Sequence, residues 1–165
     1  MSNDLVLIAR AADYAARQHV AQRRKGERGE PYVNHLTEVA ALLAEATGGA
    51  DPVLLAGGLL HDTLEDTDAT YEDLEQRFGP EVAALVAEVT DDKSLPKMER
   101  KRLQIEKTAA KSTRARLLKI ADKTSNLRSL VTSPPAGWPP ERLREYVVWA
   151  RDVVRSCRGL NPRLE

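Results

Sequence analysis

Apolar side chains recur at three- and four-residue intervals along almost the whole chain, a period that admits helices and little else. Leu5, Ile8, Ala12, Ala15, Ala16 and His19 mark one face of a first helix, predicted to end near Lys25, with Gly26 and Gly29 breaking it. Pro31 suits the first turn of a second helix, which reaches about Thr47 before Gly48-Gly49. Asp51-Pro52 reads as an N-cap followed by a first-turn proline, opening a third helix through Leu54, Leu55, Leu59 and Leu60 to His61. Thr70 and Asp73 suit a variant capping box for a short helix ending before Gly79. Pro80 and Pro96 start two more, the second charged and running to about Ala110. Further helices cover roughly 113–130 and the segment after the rigid 134–140 loop, where Leu143, Tyr146, Val147 and Val154 are available for packing. No strand-like alternation of useful length and no internal repeat interrupts this pattern. The expected fold is all-α, an irregular bundle of about seven or eight helices.

The 165 residues suit one domain, spanning 1–165, and 42% hydrophobic residues are enough to fill its core. No stretch approaches the roughly 20 apolar residues that a membrane span needs. Met1-Ser2-Asn3-Asp4 lacks the basic start and apolar run of a secretory signal. The single cysteine, Cys157, cannot form an internal disulfide. Together these features lead to the expectation of a cytoplasmic protein with no membrane partner.

Formal net charge is zero, which argues against a nucleic-acid partner. The charges are nevertheless segregated. From His61 to Asp92 there are eleven acids and one base, and from Lys93 to Lys119 ten bases and two acids. Arg23-Arg24-Lys25 adds a second basic run. Each cluster taken alone reads as a solvated helix face. An acidic segment flanked by basic ones is also what a metal ion bound beside a polyphosphate requires.

Three histidines exist: His19, His35 and His61. His19 reads as a surface or satisfied core residue. His61 closes the apolar run Leu54–Leu60 and is followed by Asp62, Glu65 and Asp66. A continued helix puts these three acids on one face, where their repulsion calls for a cation or protons. A bare His-Asp pair also arises by chance. His35 lies early in its helix, with capping or core packing as the plain alternative. Asp122 follows Leu117-Leu118, with Asn126 one turn later, and a salt bridge to Lys119 is its plain alternative.

Read together as His…His-Asp…Asp, these residues resemble the ligand signature of the HD superfamily. Two imidazoles with two carboxylates suit octahedral Mn²⁺ or Fe²⁺ better than a closed zinc site. The resemblance narrows over three stretches: Arg23-Arg24-Lys25 with Pro31-Tyr32-Val33-Asn34-His35, Leu59 to Thr67, and Ala121 to Arg128. These resemble the hydrolase domain of the RelA/SpoT alarmone enzymes. Glu88 to Lys97 with Glu99 to Arg102, and Gly137-Trp138 with Glu145-Tyr146, resemble its stand-alone form. That form is the small alarmone hydrolases, which include the SpoT homologue of animals.

The resemblance implies a metal-dependent hydrolase that cleaves (p)ppGpp to GDP or GTP and pyrophosphate. His35, His61, Asp62 and Asp122 would hold one Mn²⁺. Glu65 and Asp66 would position and deprotonate the attacking water. Arg24 would lie against the guanine base and Lys25 near phosphate. Tyr32, Asn126 and Tyr146 would line the nucleoside pocket, and a basic helix carrying Lys93, Lys97 and Lys101 would face the pyrophosphate. Three features depart from the family's pattern. Leu36 replaces a proline usual after the histidine. Thr124-Ser125 replaces a bulkier pair with an aromatic or histidine. The chain also stops at Glu165, where the animal relative continues with another helix, and no synthetase or regulatory domain is expected within these residues. Two alternative functions stand beside this one: an HD hydrolase of another nucleotide such as NADPH, and a nucleotide sensor with a dead site, against which the retained Glu65-Asp66 pair counts.

Overall fold

The computed structural model describes residues 2–165; Met1, the first of the four N-terminal residues read above, lies outside them. Nine α-helices are found among the described residues, eight of them eight residues or longer. They are α1 (Ser2–Gln18), α2 (Val33–Thr47), α3 (Pro52–Leu60), α4 (Thr63–Asp66), α5 (Tyr71–Phe78), α6 (Pro80–Val89), α7 (Lys97–Lys107), α8 (Thr113–Thr132) and α9 (Pro140–Val154). No strand forms among them; two isolated bridges, Arg23 with Pro31 and Gly26 with Pro135, are the only extended pairings.

Helix α3 organises the molecule. Asp51 caps it by accepting from the Leu54 N–H at 3.1 Å, and Pro52 takes the first turn. Every residue from Leu54 to Leu60 is buried. Leu54 and Leu55 pack with Val39, Leu43, Leu85 and Leu118. Ala56, Leu59 and Leu60 pack with Leu36, Leu74, Val82 and Val86 on the other side. Each buried leucine stabilises the fold by about 1.5–3 kcal/mol relative to exposure. Gly57 and Gly58 permit this crowding: a Cβ on Gly57 would lie 2.5 Å from Leu85 Cδ2, and one on Gly58 2.9 Å from Leu43 Cδ1.

Two features depart from the sequence expectation. The first helix stops at Gln18 rather than near Lys25. Residues 22–32 instead fold back on themselves, with Arg24 N–H donating to Glu30 O at 2.8 Å and Tyr32 N–H to Gln22 O at 3.0 Å. Gly29, at φ 56°, turns the chain. These backbone bonds within 22–32 take the place of further helical turns. The third helix also does not continue through the acids. It breaks at His61-Asp62 and resumes as the single turn α4, so Asp62 stands at a corner rather than on a shared helical face.

The capping box of α5 forms as expected, with Thr70 and Asp73 exchanging side-chain and backbone bonds. Helix α8 packs against α2, α3, α6 and α9. It buries Leu117, Leu118 and Ala121, and also Lys119, Asp122, Lys123 and Ser125. Polar side chains in the interior of a helix mark the place where the core becomes a site.

Candidate active site

The corner after α3, the start of α2 and the middle of α8 meet at one point. His35, at the start of α2, and His61, at the end of α3, are 2% and 5% exposed. His35 Nε2 lies 3.7 Å from Asp62 Oδ2 and 3.2 Å from Asp122 Oδ1. His61 Nε2 lies 3.0 Å from Asp62 Oδ2 and 3.6 Å from Asp122 Oδ1. Both ring orientations are set from behind. His61 Nδ1 faces the Gly58 carbonyl at 2.8 Å, and His35 Nδ1 faces Ser125 Oγ at 2.8 Å. A carbonyl only accepts, so His61 carries its hydrogen on Nδ1 and leaves the Nε2 lone pair free. That buried Nε2 has no hydrogen-bond partner.

The residues fit a divalent cation. Neighbouring donors about 2.1 Å from an octahedral ion stand about 3.0 Å apart, close to the spacings here. Two neutral imidazoles and two carboxylates supply nitrogen and hard oxygen donors together. The electrostatics agree. Burial holds the His35 pKa below the ordinary imidazole value. Burial opposes charge on His61 as well, yet Asp62 and Asp122 outweigh it and hold its pKa up, at about 10. Burial also opposes charge on the carboxylates, but His61 beside Asp62 and Lys123 beside Asp122 hold both below the ordinary range. The two carboxylates therefore favour positive charge at the centre of the cluster.

Surrounding groups fix the carboxylates. Tyr32 Oη donates to Asp62 Oδ2 at 2.6 Å. Lys123 Nζ donates to Asp122 Oδ2 at 2.9 Å, and Asn126 Nδ2 to Asp122 Oδ1 at 2.8 Å. The ion pair of Asp122 is therefore with Lys123. Lys119, the partner considered from sequence, donates instead to Val89 O at 3.1 Å.

Glu65 and Asp66 project into a polar cavity of about 170 Å³ that also exposes His61, Asp62, Asp122 and Lys123. Glu65 Oε2 accepts from the Asp91 N–H at 3.1 Å, and burial raises its pKa. Asp66 bonds Lys93 and, at 3.4 Å, Gln22 Nε2. A second cavity of about 320 Å³ adjoins it, lined by Arg24, Lys25, Tyr32, Asn126, Trp138 and Tyr146. Arg24 Nη1 and Nη2 both donate to Asn126 Oδ1 at 3.2 Å, so a bond chain runs Arg24–Asn126–Asp122. A third cavity of about 740 Å³ carries Lys97, Lys101, Arg142 and Trp149 and shares Lys25, Tyr146 and Glu65 with the other two.

Thirteen of the fourteen residues picked from sequence line these three connected cavities or supply the donor cluster. Lys93 differs: it lies in the loop before α7 rather than on the helix, and its ammonium is held by Asp66. His19 is a core residue, stacked on Tyr32 at 5.2 Å with Nδ1 2.6 Å from Gln22 Oε1. Sequence reasoning passed over Lys123, Ser125, Glu38, Gln104 and Trp149. Lys123 and Ser125 carried a weak signal, because they share the α8 positions flanked by buried Leu117, Leu118 and Ala121. Trp149 sits 4.5 Å from Lys123 Nζ and 4.8 Å from Lys101 Nζ, a stacking no spacing rule foretells.

The HD domain family matches residues 11–147, which contain every site residue named above except Trp149. The chain belongs to the HD domain family. Within that family this HD domain is similar over its full length to the guanosine-3′,5′-bis(diphosphate) 3′-pyrophosphohydrolases MESH1 of Xenopus tropicalis and Homo sapiens. It is 50% and 49% identical to them over 165 residues, which is 100% of the chain and 92% of each relative. The Aquifex aeolicus guanosine-3′,5′-bis(diphosphate) 3′-pyrophosphohydrolase is 42% identical over 129 residues, 74% of the chain and 18% of that longer protein. Among solved structures, one described as a metazoan orthologue of SpoT that hydrolyses ppGpp superposes with a TM-score of 0.93 at 51% identity. That match covers 96% of this HD domain and 89% of the solved chain.

Proposed function

We infer that this HD domain is a metal-dependent guanosine-3′,5′-bis(diphosphate) 3′-pyrophosphohydrolase, which converts ppGpp to GDP, and pppGpp to GTP, with release of pyrophosphate. The observation that carries the reading is the convergence of His35, His61 and Asp62, with Asp122 Oδ1 3.2 and 3.6 Å from the two imidazoles, in a chain similar over its full length to such hydrolases. Mn²⁺ is the ion that best suits this donor set, one per chain.

A bound divalent cation supplies a Lewis acid that lowers the pKa of water and offsets phosphate charge. His35, His61, Asp62 and Asp122 hold it. Glu65 accepts the proton of the attacking water. Its raised pKa brings it closer to the operating pH than an exposed carboxylate, which favours proton transfer. Asp66 orients that water while its charge is balanced by Lys93. Arg24, kept planar against Asn126, stacks on the guanine. Tyr32, Asn126 and Tyr146 wall the nucleoside. Lys25, Lys97 and Lys101 neutralise the pyrophosphate arms.

The test is a substrate panel with Mn²⁺ in which ppGpp, pppGpp, NADPH, dGTP and cyclic nucleotides are compared by chromatography of the products. GDP and pyrophosphate from ppGpp, at a kcat/KM above that for the other substrates, is the expected result. Turnover of NADPH alone would transfer the site to another nucleotide.

A further inference from the structure

Behind His35 lies a bond relay with an unambiguous direction. Ser125, fully buried, donates its hydroxyl hydrogen to Glu38 Oε2 at 2.6 Å. Arg128 Nη1 lies 3.3 Å from the other oxygen of Glu38, at the protein surface. A carboxylate offers only acceptors, and a hydroxyl has one hydrogen. With that hydrogen committed to Glu38, Ser125 Oγ can only accept from His35 Nδ1–H, 2.8 Å away. His35 is then the Nδ1–H tautomer, and its Nε2 lone pair faces Asp62 and Asp122.

We propose that Ser125 and Glu38 are positioning residues for the metal centre, setting the tautomer, the ring orientation and the donor strength of His35. The inference rests on the metal reading of the four-donor cluster given above. Its counterpart at His61 is a backbone carbonyl, which no side-chain substitution removes; the His35 side depends on two replaceable side chains. A cavity of about 380 Å³ opens on this face, lined by Asn34, His35, Glu38 and Arg128. Water there could pair with Nδ1 in either sense, whereas Ser125 bonded to Glu38 pairs in only one. Removing Glu38 frees the Ser125 hydrogen to turn toward His35, which would put the ring hydrogen on Nε2 and block ligation. Removing Ser125 leaves a buried Nδ1–H with no partner.

The experiment is a titration of metal-free protein with Mn²⁺, read by the electron paramagnetic resonance signal of the free ion. It compares wild type, Ser125→Ala, Glu38→Ala and the double variant. Partners of this kind change metal affinity by about 10–100-fold. Ser125→Ala and Glu38→Ala should each weaken the Mn²⁺ Kd within that range. Because the two act as one relay, Glu38→Ala should cost little further affinity in the Ser125→Ala background. Glu38→Gln, which keeps an acceptor for Ser125 without the charge, should recover most of the loss. Metal-free thermal unfolding of each variant shows whether the fold is intact. Wild-type protein that binds Mn²⁺ while both single variants bind within twofold of it would overturn the relay alone, as would losses that simply add. Wild-type protein that binds no Mn²⁺ would overturn the metal centre and the relay with it.

Discussion

At the residue scale the proposed roles fall into two groups, one to hold the cation and one to act on water, and the two sets have different bonding partners. Asp62 is fixed by Tyr32 and faces both imidazoles, while Glu65 bonds the Asp91 backbone and Asp66 bonds Lys93. Glu65→Gln or Asp66→Asn should therefore keep one Mn²⁺ per chain and the native melting temperature. For Glu65→Gln, kcat on ppGpp should fall by about 10²–10⁴, the usual cost of losing a general base. Metal content measured on the same preparations is the check, because turnover and metal lost together would make the acid a ligand. The ligands behave oppositely. Chelation should abolish activity, Mn²⁺ should restore it best, and His61→Ala or Asp122→Ala should lower both bound metal and turnover. Full activity in the chelated protein would refute the whole arrangement.

At the element scale the placement of the site depends on how α3 is started and stopped. Asp51 starts it, bonded to the Leu54 N–H and to Arg114 Nε at 2.7 Å. Burial opposes the Asp51 charge, but Arg114 and the helix N–H groups outweigh it and hold its pKa below 3.8. A depressed carboxylate pKa contributes stability that is present above the unfolded value and lost as pH falls through the folded one. Asp51→Asn, which keeps the capping oxygen, should thus be less stable than wild type at neutral pH, and the gap should close below about pH 4. Asp51→Ala should cost about 0.5–2 kcal/mol in urea unfolding at pH 7, the usual worth of a cap. The stop at His61-Asp62 matters as much. The corner leaves Asp62 beside both imidazoles and redirects the turn that carries Glu65 and Asp66.

For the whole molecule, α3 contributes side chains to both core clusters, so neither can loosen without the other. We expect one cooperative thermal transition, with circular dichroism that is helical throughout. Mn²⁺ at a hundred times its Kd should raise stability by about 2.7 kcal/mol through mass action alone. Calorimetry with and without the ion checks both points. Two resolved transitions would contradict a single 165-residue folding unit, and an unchanged midpoint would contradict binding to the native state.

Helix type, most boundaries and the caps at Asp51 and Thr70 were legible in the sequence, because each rests on local chemistry; the four proposed donors came from the resemblance to the HD family. A helix period, a proline in a first turn and a carboxylate beside an imidazole need no knowledge of distant residues. What the sequence did not reveal is equally specific. The first helix ends early because Arg24 and Tyr32 find backbone partners six and ten residues away, and local propensity contains no such term. The resemblance implied that Lys93 faces the pyrophosphate; in the structure its ammonium pairs with Asp66, 27 positions earlier in the chain. Ser125 looked like a small substitution in a familiar motif. Only the packing of α2 on α8 brings His35 and Glu38 to it, across 90 and 87 residues of chain. Sequence alone determined which chemistry the chain can perform. The tertiary structure decided which groups touch, because contact between distant residues is fixed by the packing of whole helices and not by any residue's own preference.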